Sequence, residues 1–155
     1  MFRKVRLHNS TLHKVQNLLT KRAEKNGSFD MNAARFLSSK IQRSGFSLPA
    51  MSQLVVHNDI IYISGQVDET SNDVQGQTKN ILSKIDALLK EGGSDKTRLL
   101  TSNIWLKDIE KDFEAMNDVW IEWMDPENKP VRATVEANMA GSNMLVEIQV
   151  TAAKK

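Results

Sequence analysis

The chain has no cysteine, so disulfides, thiolate nucleophiles and cysteine-ligated zinc are excluded. Histidine is nearly absent as well. His8, His13 and His57 are the only three, and no two stand at the spacing that puts paired ligands on one helix face, so a histidine-held metal is not expected. No run of about 18 apolar residues occurs, and without one no helix is expected to span a membrane. Acid is missing from the first 22 residues, where Arg3, Lys4, Arg6, Lys14, Lys21 and Arg22 alternate with Leu12, Val15, Leu18 and Leu19.

What is present divides in two. Residues 1–48 carry ten Lys or Arg against two acids, Glu24 and Asp30, a net +8, whereas the rest carries eleven basic and seventeen acidic residues, a net −6. The acid-poor, amphipathic start fits either an organelle presequence or a disordered basic leader. The location expected is cytoplasmic, or mitochondrial if the extension includes a presequence. A second amphipathic segment, residues 33–41, ends at Ser44-Gly45, which reads as a linker before a domain spanning residues 49–153. That domain is acidic, and clustered positive charge is what phosphate binding needs, so nucleic acid is not the expected partner. With 155 residues and 40% hydrophobic content, one domain with a substantial core is expected.

From Pro49 the pattern is regular. Residues 51–56 and 60–66 are rich in β-formers and are separated by His57-Asn58-Asp59, which predicts a hairpin with a tight Asn-Asp turn. Val74, Ile81, Leu82, Ile85, Leu88 and Leu89 fall on one helical stripe, ended by Gly92-Gly93. Residues 98–106 alternate as a strand. Phe113, Met116, Trp120 and Trp123 mark a second helix with Asp108 as its N-cap. Strands over 130–136 and 145–150 complete the order β-β-α-β-α-β-β. The expected class is α+β, a mixed sheet with both helices packed on one face.

The last two strands place charge where it is least expected. Val131, Ala133, Val135, Val146, Ile148 and Val150 suit the helix-covered side, which leaves Arg132, Thr134, Glu136, Leu145, Glu147 and Gln149 on the other. A fixed guanidinium, Arg132, and a carboxylate, Glu147, on neighbouring strands form a candidate site in which one group holds an anionic substrate and the other moves a proton. A face of such mixed character suits a partner subunit, and a closed cyclic assembly leaves clefts at its boundaries.

Ile63-Ser64-Gly65-Gln66-Val67, Gln77-Thr78-Lys79-Asn80, Trp105-Leu106-Lys107-Asp108-Ile109, Phe113-Glu114-Ala115-Met116-Asn117, Pro130-Val131-Arg132 and Val146-Glu147-Ile148 occur in the order found in the RidA family, also called YjgF/YER057c/UK114. The chain resembles that family over residues 49–153. Val55-Val56-His57-Asn58 and Gly93-Ser94-Asp95-Lys96 resemble its YoaB-like branch. The resemblance implies a chorismate-mutase-like homotrimer with a site in each cleft between subunits, and a small 2-imino or 2-keto carboxylate as ligand. It implies no metal or organic cofactor. The implied activity is hydrolysis of reactive 2-enamine and 2-imino acids, such as 2-aminoacrylate, to 2-keto acids and ammonia. The alternative is a trimeric binding protein that captures a small carboxylate and modulates a partner enzyme without turnover.

Carried over residue by residue, the resemblance makes Arg132 the carboxylate anchor and Glu147 the acid that orients or activates water. Gly65 and Thr134 match positions where the backbone approaches the ligand, and Ser64 and Asn117 match polar pocket positions. Met51 stands where a pocket tyrosine is usual, and Thr134 where a cysteine is. The chemistry of the anchor agrees, because a planar guanidinium makes two parallel charge-assisted bonds to a carboxylate and an ammonium cannot. The competing structural reading pairs Arg132 with Glu136 or Glu147 simply to steady the sheet.

Overall fold

A computed structural model describes residues 41–44 and 49–155. The rest of the basic extension, including most of the amphipathic segment at 33–41, lies outside the described residues. The first element is a short edge strand, β1 (Gln42–Ser44), paired antiparallel with β2 (Leu54–His57). The sheet therefore begins inside the stretch read from sequence as extension and linker.

Asn58 (φ 50°) and Asp59 (φ 61°) both adopt positive φ, the geometry whose twist matches antiparallel strands and which Asn and Asp tolerate better than bulkier residues. They join β2 to β3 (Ile60–Val67), with His57 opposite Ile60. The predicted hairpin is present with a two-residue loop.

α1 (Val74–Gly92) starts where Asp73 Oδ1 accepts the Gly76 amide at 2.7 Å and ends at Gly93, whose φ of 83° is left-handed. Beyond that cap the Ser94 amide reaches back to the Leu89 carbonyl at 2.8 Å, closing the last turn. A single 3₁₀ turn then leads into β4 (Leu99–Leu106). α2 (Ile109–Trp123) is capped by Asp108, which accepts from the Lys111 amide at 3.0 Å. Glu136 adds a second cap, accepting from the Ile109 amide at 3.0 Å. The chain closes with β5 (Val131–Glu136) and β6 (Val146–Ala153).

The six strands form one mixed sheet in the order β1-β2-β3-β6-β4-β5, parallel only between β4 and β5. Both helices lie on one face, as predicted. Ile61, Ile63, Ile104, Leu106, Val146, Ile148 and Val150 from the sheet meet Ile81, Leu82, Ile85 and Leu89 of α1 and Met116 and Trp120 of α2 in the core. α2 is fastened to α1 by Trp123, whose indole N–H donates to Asp86 at 2.9 Å.

Two expectations are corrected by the register. β5 and β6 are not neighbours, because β4 runs between them. The faces of β5 are also the reverse of those expected: Arg132 pairs with Ser102 and Thr134 with Ile104, both of which face the helices, so Arg132, Thr134 and Glu136 lie on the helix side. Val131 and Val135 lie on the open face and are 71% and 49% exposed. The alternation was sound, but apolar side chains mark the buried face only where a strand is covered, and β5 is an edge strand.

One buried polar residue ties the elements near the site together. Gln77, fully buried on α1, donates to the Ser71 and Asn143 carbonyls at 3.0 and 2.7 Å and accepts from the Leu145 amide at 2.8 Å. It thereby fixes the chain two residues before Glu147. Gln77→Leu strands these backbone groups, and at about 1 kcal/mol or more for each lost bond a destabilisation of about 3 kcal/mol is expected. Thermal denaturation should show a fall of about 10 °C in Tm.

Candidate functional site

Pairing across β3 and β6 slips at one point: Ile63 faces Val150 and Gln66 faces Ile148, so three steps on β3 match two on β6. The bulge falls at Ser64-Gly65. Bulges bend a strand and re-aim its side chains. Here the Ser64 hydroxyl accepts from Gln66 Nε2 at 3.0 Å, and Gly65 leaves room for a carboxylate. A Cβ on Gly65 would overlap Glu147 Oε1, so only glycine lets Glu147 lie flat against the strand.

A cleft of about 460 Å³ opens beside this bulge, lined by Met51, Gln53, Ser64, Gly65, Gln66 and Lys84 among others. Three of the residues expected from sequence, Met51, Ser64 and Gly65, are thus brought together on its wall, with Glu147 touching Gly65. The Glu147 carboxylate is half-buried and has no hydrogen bond or ion pair among the described residues.

Arg132, Thr134 and Asn117 are elsewhere. They lie on the edge strand β5 and on α2, on the helix side of the sheet. The Arg132 guanidinium lies over the Trp120 ring, 5.6 Å from its centroid. No carboxylate comes within ion-pair distance of Arg132 among the described residues. Glu136, its expected structural partner, is spent on the α2 N-terminus instead. Partial burial lowers the Arg132 pKa from its ordinary value without approaching neutrality. The result is a cation steadied by an aromatic face, with its donors uncommitted among the described residues.

Arg132 and Glu147 do not meet within one chain. Two strand spacings of about 4.8 Å, with a three-residue offset of about 3.3 Å per residue along β4, separate their Cα atoms by about 14 Å. Their side chains also leave opposite faces of the sheet. One chain therefore carries two half-sites, an acid beside a cleft and a cation at the far edge.

The buried stripe of α2 holds a polar oddity. Asp112 is 5% exposed on the core-facing stripe of α2, and one of its oxygens has no hydrogen-bond partner among the described residues. Desolvation raises its pKa above the ordinary carboxylate value, with Asp108 adding to the rise and Lys111 opposing it. A raised folded-state pKa stabilises the fold below the unfolded value and loses that contribution as pH rises through the folded value. At neutral pH the ionised Asp112 is therefore a liability. Asp112→Asn is expected to raise Tm by a few degrees at pH 7, and the gain over the unsubstituted protein should vanish toward pH 4 in a melting series.

Lys84, Gln53, Gln66 and the Trp120 platform were not singled out from sequence. Lys84 lies on the polar side of the α1 stripe, where a lysine ordinarily faces solvent. There it lines the cleft together with Ser64 and Gly65 of the bulge.

A sheet of this topology with two helices on one face defines a YjgF-type protein. The solved structure of a YjgF-family member from Neisseria meningitidis superposes with a TM-score of 0.73 at 38% identity, covering 76% of this chain and 98% of that one. The family model described as Endoribonuclease L-PSP matches residues 46–154. A RutC family protein of Haemophilus ducreyi is 41% identical over 103 residues, spanning 66% of this chain and 87% of the relative. The RutC family protein YoaB of Escherichia coli K12 is 39% identical over 102 residues, 66% of this chain and 89% of YoaB. The chain belongs to the RidA/YjgF family, the group that the L-PSP model describes.

Proposed function

We propose that the protein is a 2-imino acid deaminase that works as a homotrimer, hydrolysing enamine and imine acids to 2-keto acids and ammonia. The observation that carries this reading is Glu147, a half-buried carboxylate with no partner among the described residues, held against Gly65, which itself lines the cleft. A residue kept for structure would be expected to have a partner. Arg132, a cation without a counter-ion among the described residues, supplies the complementary half.

In this reading, Arg132 of one copy grips the substrate carboxylate while Gly65 and Glu147 of the next border the imine carbon. The exposed apolar residues Tyr62, Val131 and Val135 on the open face of the sheet give the copies a surface to share. Glu147 accepts a proton from water as its oxygen bonds to C2 of the iminium. It returns that proton to the amine of the resulting carbinolamine. The Glu147 carboxylate then takes the hydroxyl proton as the C–N bond breaks, so that ammonia leaves and the C2 carbonyl of the 2-keto acid forms, and the proton passes from Glu147 to water. An enamine enters the same route after protonation at C3. Thr134 and Asn117 belong to the Arg132 half, and Met51 and Ser64 to the Glu147 half. A small acid also suits residues 49–155, whose charge is unfavourable for a polyanion such as RNA.

The test generates 2-iminobutanoate in place with an amino-acid oxidase and follows its disappearance. Acceleration by the protein over the uncatalysed rate is the expected result. Binding of 2-oxobutanoate without any acceleration would replace the enzyme with a carboxylate-binding protein.

A further inference from the structure

The cleft beside the bulge is larger than the smallest 2-imino acids need. At about 460 Å³ it falls within the range of ordinary small-molecule sites, about 300–1,000 Å³, whereas 2-iminobutanoate has only an ethyl group to place there. Its wall is also chemically uneven. Met51, Val67, Ala87 and Leu88 give apolar surface, Ser64 and Gln53 give polar surface, and Lys84 brings the one cation among the lining residues.

Lys84 is not fully neutralised. Its ammonium donates to the Val67 carbonyl at 2.6 Å and lies 3.6 Å from Asp68 Oδ1, and its side chain remains 48% exposed. Asp68 is buried and already accepts from the Thr70 and Ser71 backbone amides, the Thr70 hydroxyl and Asn80 Nδ2. Its charge is spread over those donors, and its contact with Lys84 is long. An ammonium has three donors, which leaves Lys84 at least one for a ligand.

We propose that Lys84 is a specificity residue that selects 2-imino acids whose side chain ends in a second carboxylate. This rests on the reading of the cleft as the imino-acid site. With the 2-carboxylate on Arg132 of a neighbouring copy and the imine carbon at Gly65, which meets Glu147 on one side and lines the cleft on the other, the side chain runs past Ser64 into the cleft, and its end meets the Lys84 ammonium. Met51, an unbranched and adaptable side chain, lines the methylene portion.

Binding of the keto-acid products isolates this step from turnover. Calorimetry on the full chain should show 2-oxoglutarate binding about tenfold or more tightly than 2-oxohexanoate, the effect of one charge-assisted hydrogen bond. In Lys84→Met the ratio should fall to about one, and in Lys84→Arg it should persist. Lys84→Gln keeps a donor for Val67 and should lose the preference as Lys84→Met does, which separates charge from folding. Equal binding of the two acids by the unsubstituted protein, or a preference that survives Lys84→Met and Lys84→Gln, overturns the proposal. The 2-iminobutanoate assay is the independent arm. Hydrolysis without diacid preference refutes the role of Lys84 alone, whereas diacid preference without hydrolysis keeps that role and refutes the deaminase.

Discussion

Arg132→Ala is expected to lower kcat/KM for 2-imino acid hydrolysis by about 10²–10⁴-fold. Two parallel bonds from a guanidinium to a carboxylate, at about 1.5–3 kcal/mol each, correspond to that range. Nothing among the described residues competes for the guanidinium, since Glu136 caps α2 and no carboxylate pairs with Arg132. For the same reason the fold should survive. What the variant loses internally is the stack on Trp120, worth about 0.5–1 kcal/mol at an exposed site, so Tm should move by only a few degrees. Arg132→Lys keeps the charge and loses the planar fork, and its activity should lie much nearer to alanine than to arginine. Steady-state kinetics beside a thermal melt separates loss of the anchor from loss of structure.

Glu147→Gln is expected to cost about 10²–10⁴-fold in kcat, the usual contribution of a positioned acid or base. The substitution keeps shape and volume, so the amide still fits against Gly65 and 2-keto acid affinity should change little. A protein that only captures carboxylates would be indifferent to this change in turnover, having none. Gly65→Ala should mimic it for a different reason, because the added methyl occupies the space of the Glu147 carboxylate. An active Gly65→Ala variant would mean that Glu147 acts from another position.

Much of this architecture was legible in the chain. Asn58-Asp59 announced the hairpin, Gly93 the end of α1, Asp108 the start of α2, and the apolar stripes the helix-covered face of the sheet. These are local signals, each set by a few neighbouring residues. The order of strands across the sheet is not local, and β4 between β5 and β6 separates two charges that the succession of strands along the chain sets side by side. The face of β5 was misread because Val131 and Val135 alternate correctly with Arg132 and Thr134 but no helix covers their side. The bulge at Ser64-Gly65 was likewise hidden, since it exists only in the pairing of β3 with β6. With it were hidden the cleft and Lys84. Of the residues named from the family's motifs, Met51, Ser64 and Gly65 line one cleft with Glu147 against Gly65, whereas Arg132 and Thr134 lie on β5 and Asn117 on α2. The proposed function joins the two groups by drawing each site from two copies of the chain.

Subunit mixing tests that claim most directly. Arg132→Ala and Glu147→Gln variants, each inactive alone, are unfolded together and refolded at equal ratio, and imine hydrolysis is measured. If each site takes Arg132 from one copy and Glu147 from the next, about one site in four receives both intact residues, and about a quarter of the unsubstituted activity should return. Mixed oligomers that stay as inactive as the separate variants would contradict a site shared between subunits.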